Sequence, residues 1–130
     1  MVDHDGAYIG GVIAPGVNLS LQALHQMAAA LPHVDIAKPN EVIGKNTVSC
    51  MQSGVFWGYI GLVKEICRKI KEEKRETMKV VATGGLAPLL QSTEALFENV
   101  DENLTMHGLR LVFDYNLSLI HISEPTRQSL

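Results

Sequence analysis

The chain has 130 residues, a length suited to one domain, of which 46% are hydrophobic and 19% charged, as in a globular protein. Its formal net charge of −3, from 11 Lys and Arg against 14 Asp and Glu, argues against a nucleic acid or an anionic membrane as its main partner. No apolar run approaches the roughly 20 residues that cross a bilayer.

In chain order, the first predicted element is a strand over residues 8–14, entered by the turn signal "HDG" and closed by Pro15-Gly16. Only Met1 to Asp3 could pair with it as a hairpin, so the chain reads as a piece of a longer gene with Met1 an internal methionine. Leu21, Leu24, Met27, Ala28 and Leu31 then recur at helical spacing, with Ser20 a plausible N-cap and Pro32 the stop. "HVDIAKPNEVIG" reads as a loop, and a long helix follows over about 47–75, capped by Asn46 or Thr47 and ending in the solvated run "KIKEEKRE".

Within that helix Gly54, Gly58 and Gly61 share one face. A glycine inside a helix costs about 1 kcal/mol relative to alanine, so the stripe implies close approach, either to the chain's own sheet or to a second subunit. Residues 77–83, "TMKVVAT", form a short apolar strand of the buried type. Gly84-Gly85 make a turn into a helix that tolerates Pro88 only in its first turn. A short strand in "FENVDENL" and a last helix with Leu104, Leu109, Val112 and Phe113 on its apolar side complete an order β-α-α-β-α-β-α, which predicts an α/β layer on a mixed sheet flanked by helices.

After Asn116 the text changes to a strand-like run that breaks at "SEPTR". "LSLIHISEPTRQ" resembles the translation of an adapter used in preparing sequencing libraries, so 1–116 is taken as the natural domain and 117–130 is set aside as an artefact tail.

Few residues carry recognisable chemistry. "VIGKNTVSCMQSG" fails as a P-loop, because Pro39 stands where the first glycine belongs and Asn46 where Ser or Thr should follow the lysine. Its helix start would still expose unpaired N–H groups and a Thr47 hydroxyl to an anion, or it is only a cap. The turn Thr83-Gly84-Gly85 at a strand's carboxyl end could let a nucleotide approach the backbone, or is only a turn. Cys50 and Cys67 have no C-x-x-C or zinc spacing and no secretory leader precedes them, which predicts two packed thiols in a reducing cytoplasm. His25 and His33 form no metal or base–nucleophile spacing, and Asp3, Asp5, Asp35 and Asp101 fall in turns.

The blocks "GGVIAPGVNLSLQAL", "LPHVDIAKP", "VIGKNTVSCMQSGVFWGYIGLV", "KVVATGGLA" and "VDENLTMHGLRLVF", in this order, resemble the C-terminal half of the type III pantothenate kinases. The resemblance implies a ribonuclease H-like domain of the actin-like ATPase superfamily, the C-terminal half of a two-domain kinase. It also implies ATP-dependent phosphorylation of pantothenate, the first step of coenzyme A synthesis, by a cytoplasmic homodimer using ATP with a divalent metal and a monovalent cation, potassium or ammonium.

By the same resemblance Thr47 contacts pantothenate, Thr83, Gly84 and Gly85 lie near the adenosine, and His25 reaches the neighbouring subunit's site. The family's Asp-x-Gly-Asn-Thr loop, its Gly-x-Asp-Arg aspartate and its Asp-x-Gly-Thr-Ala-x-Thr loop are not in this sequence. No catalytic residue is therefore assigned, the chain alone is expected to be inactive, and an uncovered apolar face is expected to make it aggregate or be marginally stable. Two other readings stand beside this one: a non-catalytic superfamily member acting as an accessory factor in transcriptional activation, and a structural dimerisation module built on the glycine-striped helix.

Overall fold

The computed structural model describes residues 1–28, 30–92 and 96–123, the last four of these as backbone only. The chain divides into two compact units, Met1–Met78 and Lys79–Leu130, each with its own architecture.

The first unit is helical. Its start is a tight loop: Asp3 Oδ1 accepts from the N–H of Asp5 at 3.0 Å and of Ala7 at 2.8 Å, and Gly6 turns the chain at φ 84°. The strand predicted over 8–14 does not form. Only an antiparallel bridge between Val2 and Tyr8 is made, backed by an Ile9 N–H to Met1 carbonyl bond of 3.1 Å. Residues 11–16 stay exposed.

Helix α1, Val17–Met27, begins three residues before the predicted cap Ser20, whose N–H already bonds the Gly16 carbonyl at 3.0 Å inside the helix. Val17 and Leu21 are buried, whereas Met27 is 89% exposed, against the predicted apolar stripe. The helix stops well before Pro32, where His25 Nδ1 bonds the Leu31 carbonyl at 2.7 Å and turns the chain back.

Helix α2, Thr47–Lys74, is close to its predicted span, and ends at Arg75 in the left-handed conformation, φ 56°. It packs against α1 through a face built from Met51, Val55, Phe56 and Ile60, with Val17, Leu21 and Val34 completing the core. Phe56 is wholly buried, its ring edge-to-face with Trp57 at 5.3 Å. The predicted packed thiols are corrected: Cys50 is exposed and Cys67 half-buried, both off this face.

The second unit is α/β. Strands β1, Val81–Ala82, and β2, Asn99–Val100, pair in parallel with Val81 opposite Asn99, joined through α3, Ala87–Gln91. Thus the sheet among the described residues is a parallel pair rather than the predicted mixed sheet. The strand predicted over 77–83 shrinks to two residues, and Val81 is 51% exposed. Pro88 sits in the first turn of α3, as required.

The Gln91 amide acts as a surrogate strand, donating to the Phe97 carbonyl at 3.0 Å and accepting its N–H at 3.1 Å. Ala87, Leu90 and Phe97 are this unit's buried apolar residues among those described. Helix α4, Leu104–Ser123, runs straight through the point where the sequence predicts a change to strand at 117. Residues 124–130 of the proposed tail lie outside the described residues.

Replacing the buried Phe56 by alanine removes the central side chain of the first unit. Phe56→Ala is expected to cost about 3–5 kcal/mol, while Met27→Ala at an exposed position stays within about 0.5 kcal/mol. Urea unfolding followed by helical circular dichroism measures both, and similar midpoints for the two variants would contradict the core assignment.

Candidate functional site

The start of α2 is built around a reciprocal cap. Asn46 is extended, φ −146° and ψ 169°, and its side-chain oxygen accepts the Ser49 N–H at 2.9 Å. The Ser49 hydroxyl oxygen accepts in return from the Asn46 N–H at 3.1 Å and the Lys45 N–H at 3.0 Å, and donates to the Asn46 carbonyl at 3.0 Å. This is a capping box with serine in the third helical position. It settles the alternative left open by the sequence: Asn46 caps, and Thr47 is the first helical residue.

Gly44 is required by close approach. A Cβ placed there would lie 2.4 Å from the Cys50 nitrogen and 2.6 Å from the Ser49 carbonyl carbon, both backbone atoms that cannot swing aside. The loop before the cap is then tied along one stripe of the helix. Ser53 Oγ donates to the Val42 carbonyl, and Gln52 Nε2 donates to the Asp35 carbonyl at 3.1 Å. Ser49, Gln52 and Ser53 recur at helical spacing and so share a face. That spacing was the signal in the sequence, and the reading of Thr47 alone missed it.

Between this loop and the helix lies a cleft of about 370 Å³, lined by Lys38, Pro39, Asn40, Glu41, Gly44 and Gln52 among others. Lys45 Nζ meets Glu41 at 2.8 Å across its mouth, an exposed pair of little energetic weight. Thr47 does not line the cleft. It is exposed, its hydroxyl has no hydrogen-bond partner among the described residues, and it lies about 100° round the helix from Asn46.

The Thr83-Gly84-Gly85 turn stands at the carboxyl end of β1. Gly84 has φ 95°, a conformation that favours glycine, and its carbonyl accepts the Ala87 N–H at 3.1 Å to start α3. A Cβ at Gly84 or Gly85 would meet nothing within 4 Å among the described residues, so the backbone is open to approach, and the Thr83 side chain is exposed. Thr47 and this turn belong to different compact units.

His25 and His33 do meet, with ring centroids 5.8 Å apart beside a cleft that Asp35 also lines. Even so, no group of three His, Cys, Asp or Glu among the described residues could hold a metal ion. The clear pKa shifts lie on the exposed later turns of α2. There the hydrogen bond from Arg68 holds the Glu65 carboxyl below its usual value, and the same bond, with Glu72 nearby, raises the Arg68 guanidinium. These are features of a solvated ion-paired helix end, as the run "KIKEEKRE" predicts.

By class this is an α/β protein in which glycine-containing turns stand at the end of a strand and at the start of a long capped helix. Its residues 1–69 match the family model described as type III pantothenate kinase. Relatives bearing the name type III pantothenate kinase include one from Roseobacter denitrificans, 70% identical over 116 residues covering 89% of this chain and 45% of the relative. One from Ruegeria pomeroyi is 68% identical, again covering 89% of this chain and 45% of the relative. One from Cereibacter sphaeroides is 64% identical over 119 residues, 92% of this chain and 46% of the relative. The chain belongs to the type III pantothenate kinase family, and it spans about half the length of the curated relatives it matches.

The cap and the exposed threonine separate in their effects. Asn46→Ala is expected to destabilise the first unit by about 1 kcal/mol through loss of the cap, whereas Thr47→Val changes stability by less than about 0.5 kcal/mol. Thermal melts of the two variants check this, and a Thr47→Val loss as large as that of Asn46→Ala would show that Thr47 serves the helix itself.

Proposed function

We propose that this chain is the pantothenate-facing part of an ATP-dependent pantothenate kinase. That enzyme transfers the γ-phosphoryl group of ATP to the pantothenate hydroxyl, giving 4′-phosphopantothenate at the opening of coenzyme A synthesis. The observation that carries the reading is the division of labour at the start of α2. Asn46 and Ser49 close the cap between themselves, so the Thr47 hydroxyl and the first N–H groups of a 28-residue helix are left for a ligand. Pantothenate carries a carboxylate and hydroxyls, and a helix N-terminus with a free hydroxyl suits both.

In this reading Thr83, Gly84 and Gly85 lie against the adenosine, and the open backbone at both glycines fits that role. ATP, when bound, supplies the phosphoryl group. The chain's own residues bind and orient, which is most of what phosphoryl transfer asks of a protein. Among the described residues no group of three His, Cys, Asp or Glu could hold the divalent ion, so the residues present do not fit it. The two units would belong to a two-domain actin-like ATPase working in the cytoplasm. No described helix is long and apolar enough to cross a membrane.

A homodimer is part of the same proposal. At Gly54, Gly58 and Gly61 an added Cβ would meet nothing within 4 Å among the described residues of the first unit, which leaves the stripe open to a second copy. At about 100° per residue the stripe lies opposite Phe56 and on the same side of α2 as Thr47. A second copy lying along the glycines would therefore pass near Thr47.

A chimera in which this chain replaces the matched segment of the Roseobacter denitrificans relative tests the function. It is expected to form phosphopantothenate, and Thr47→Val within it to raise KM for pantothenate by about tenfold or more while KM for ATP stays within about twofold. An unchanged pantothenate KM would remove Thr47 from the site. For the dimer, Gly58→Trp is expected to shift the chimera from dimer to monomer in sedimentation with helicity retained, and a persisting dimer would move the interface elsewhere.

A further inference from the structure

We propose that Asp101 reads the sugar of a nucleotide: its carboxylate accepts from the vicinal hydroxyls of a ribonucleoside held at the Thr83-Gly84-Gly85 turn, and so selects ribose over a deoxy sugar. The inference rests on the nucleotide reading of that turn, and adds to it a second contact and a specificity.

The placement follows from the register of the parallel pair. Val81 stands opposite Asn99 and Ala82 opposite Val100, and the Asp101 N–H donates to the Ala82 carbonyl at 2.8 Å. The ladder therefore runs one step past β1 and β2 and sets Asp101 abreast of Thr83, on strands about 4.8 Å apart. Both residues stand at the carboxyl ends of neighbouring parallel strands, the edge at which open α/β sheets take their ligands. Just beyond Thr83 the chain turns at Gly84, φ 95°, and a Cβ at Gly84 or Gly85 would meet nothing within 4 Å among the described residues.

One oxygen of this carboxylate is occupied and the other is not. Oδ1 accepts the Asn103 N–H at 2.9 Å and so fixes the turn into α4. Oδ2 has the His107 Nδ1 as a neighbour at 3.9 Å, beyond hydrogen-bond reach. The Asp101 side chain is 32% exposed, so it can be reached while the turn holds it in place. The local role of Asp101 thus uses half of its acceptor capacity.

The chemistry of the free half picks the part of a nucleotide it suits. An ionised carboxylate only accepts hydrogen bonds, and it repels a phosphate. A ribose offers two adjacent O–H donors. In dinucleotide-binding α/β folds the order strand, glycine turn, helix, strand and acidic residue places a carboxylate on a ribose hydroxyl. The same order stands here in β1, Gly84-Gly85, α3, β2 and Asp101. The adenine amino group is the other donor a carboxylate could take, and inosine, which lacks it, separates the two.

The test titrates the full 130-residue chain, labelled with nitrogen-15, with adenosine and with 2′,3′-dideoxyadenosine, neither of which brings a phosphate or its metal ion. Adenosine is expected to shift the amide signals of Thr83, Gly84, Gly85 and Asp101, and the dideoxy compound to bind at least about fivefold more weakly. Asp101→Asn keeps an oxygen for the Asn103 N–H and removes the charge, and in it the two nucleosides are expected to bind within about twofold of each other. Asp101→Ser, whose hydroxyl can also hold the turn, repeats the comparison should the asparagine variant lose helicity. In the Roseobacter denitrificans chimera, KM for 2′,3′-dideoxyATP over KM for ATP is expected to be about five or more, and Asp101→Asn to bring it within about twofold of one. Equal binding of the two nucleosides by the unaltered chain overturns the inference and leaves the turn as the nucleotide contact. Discrimination that persists in Asp101→Asn does the same. Equal binding of the two with weaker binding of inosine moves the carboxylate to the base and also overturns it. No shift at Thr83, Gly84 or Gly85 with adenosine removes the nucleotide reading itself, and the inference with it.

Discussion

The first unit depends on the contact between Gly44 and the backbone of the first turn of α2. With a hydrogen in place of a side chain, the loop backbone comes against the Ser49–Cys50 peptide, where a Cβ would lie 2.4 Å from a nitrogen. That nitrogen donates to the Asn46 carbonyl at 2.9 Å, the first bond of the helix, so loop and helix start are fastened at one point. Ser49, Gln52 and Ser53 then tie residues 35–46 along a single stripe. The cap consumes Asn46 and Ser49 and leaves Thr47 exposed, and from that allocation the ligand reading follows.

Helix α2 carries two surfaces. Met51, Val55, Phe56 and Ile60 are buried and set the core with α1. Gly54, Gly58 and Gly61 lie opposite Phe56, where nothing among the described residues of the first unit approaches them. Three interior glycines at about 1 kcal/mol each are a substantial local cost for a helix, and the core side does not recover it. The compensation has to come from whatever lies along the smooth side. Thr47 shares that side, so substrate contact and subunit contact become one surface in the proposed enzyme.

Local signals were the legible ones. The span of α2 followed from its apolar period and polar end, the Asp3 turn from "HDG", and the place of Pro88 from its tolerance only in a first turn. The choice between Asn46 and Thr47 needed Ser49, three positions on, whose hydroxyl makes the cap reciprocal. What failed was whatever needs a distant partner. The run over 8–14 has strand composition, and among the described residues the bridge from Val2 to Tyr8 is all that forms. Residues 77–83 read as a buried strand, yet a buried strand is made by the layers around it, and β1 keeps two residues. Composition records what a segment is suited to, while pairing depends on what else is present. The family was legible from the order of motif blocks, and the match over residues 1–69 bears it out.

Helix α4 shows the same principle from the other direction. Helical hydrogen bonds are local, so a helix can persist where its tertiary partners are few, whereas a strand cannot. This explains why α4 keeps its full span while the sheet beside it is reduced to a pair. Its apolar residues were read in the sequence as a packing side, and Leu104, Leu109, Val112 and Phe113 are all at least 45% exposed. A side chain pattern of that kind costs little in an isolated helix and gains its stabilisation only when water is removed from it, at roughly 25 cal/mol per Å². The second unit therefore has its local structure in place and its burial incomplete. That is the state in which adding a complementary surface yields the largest gain in stability without refolding what already stands.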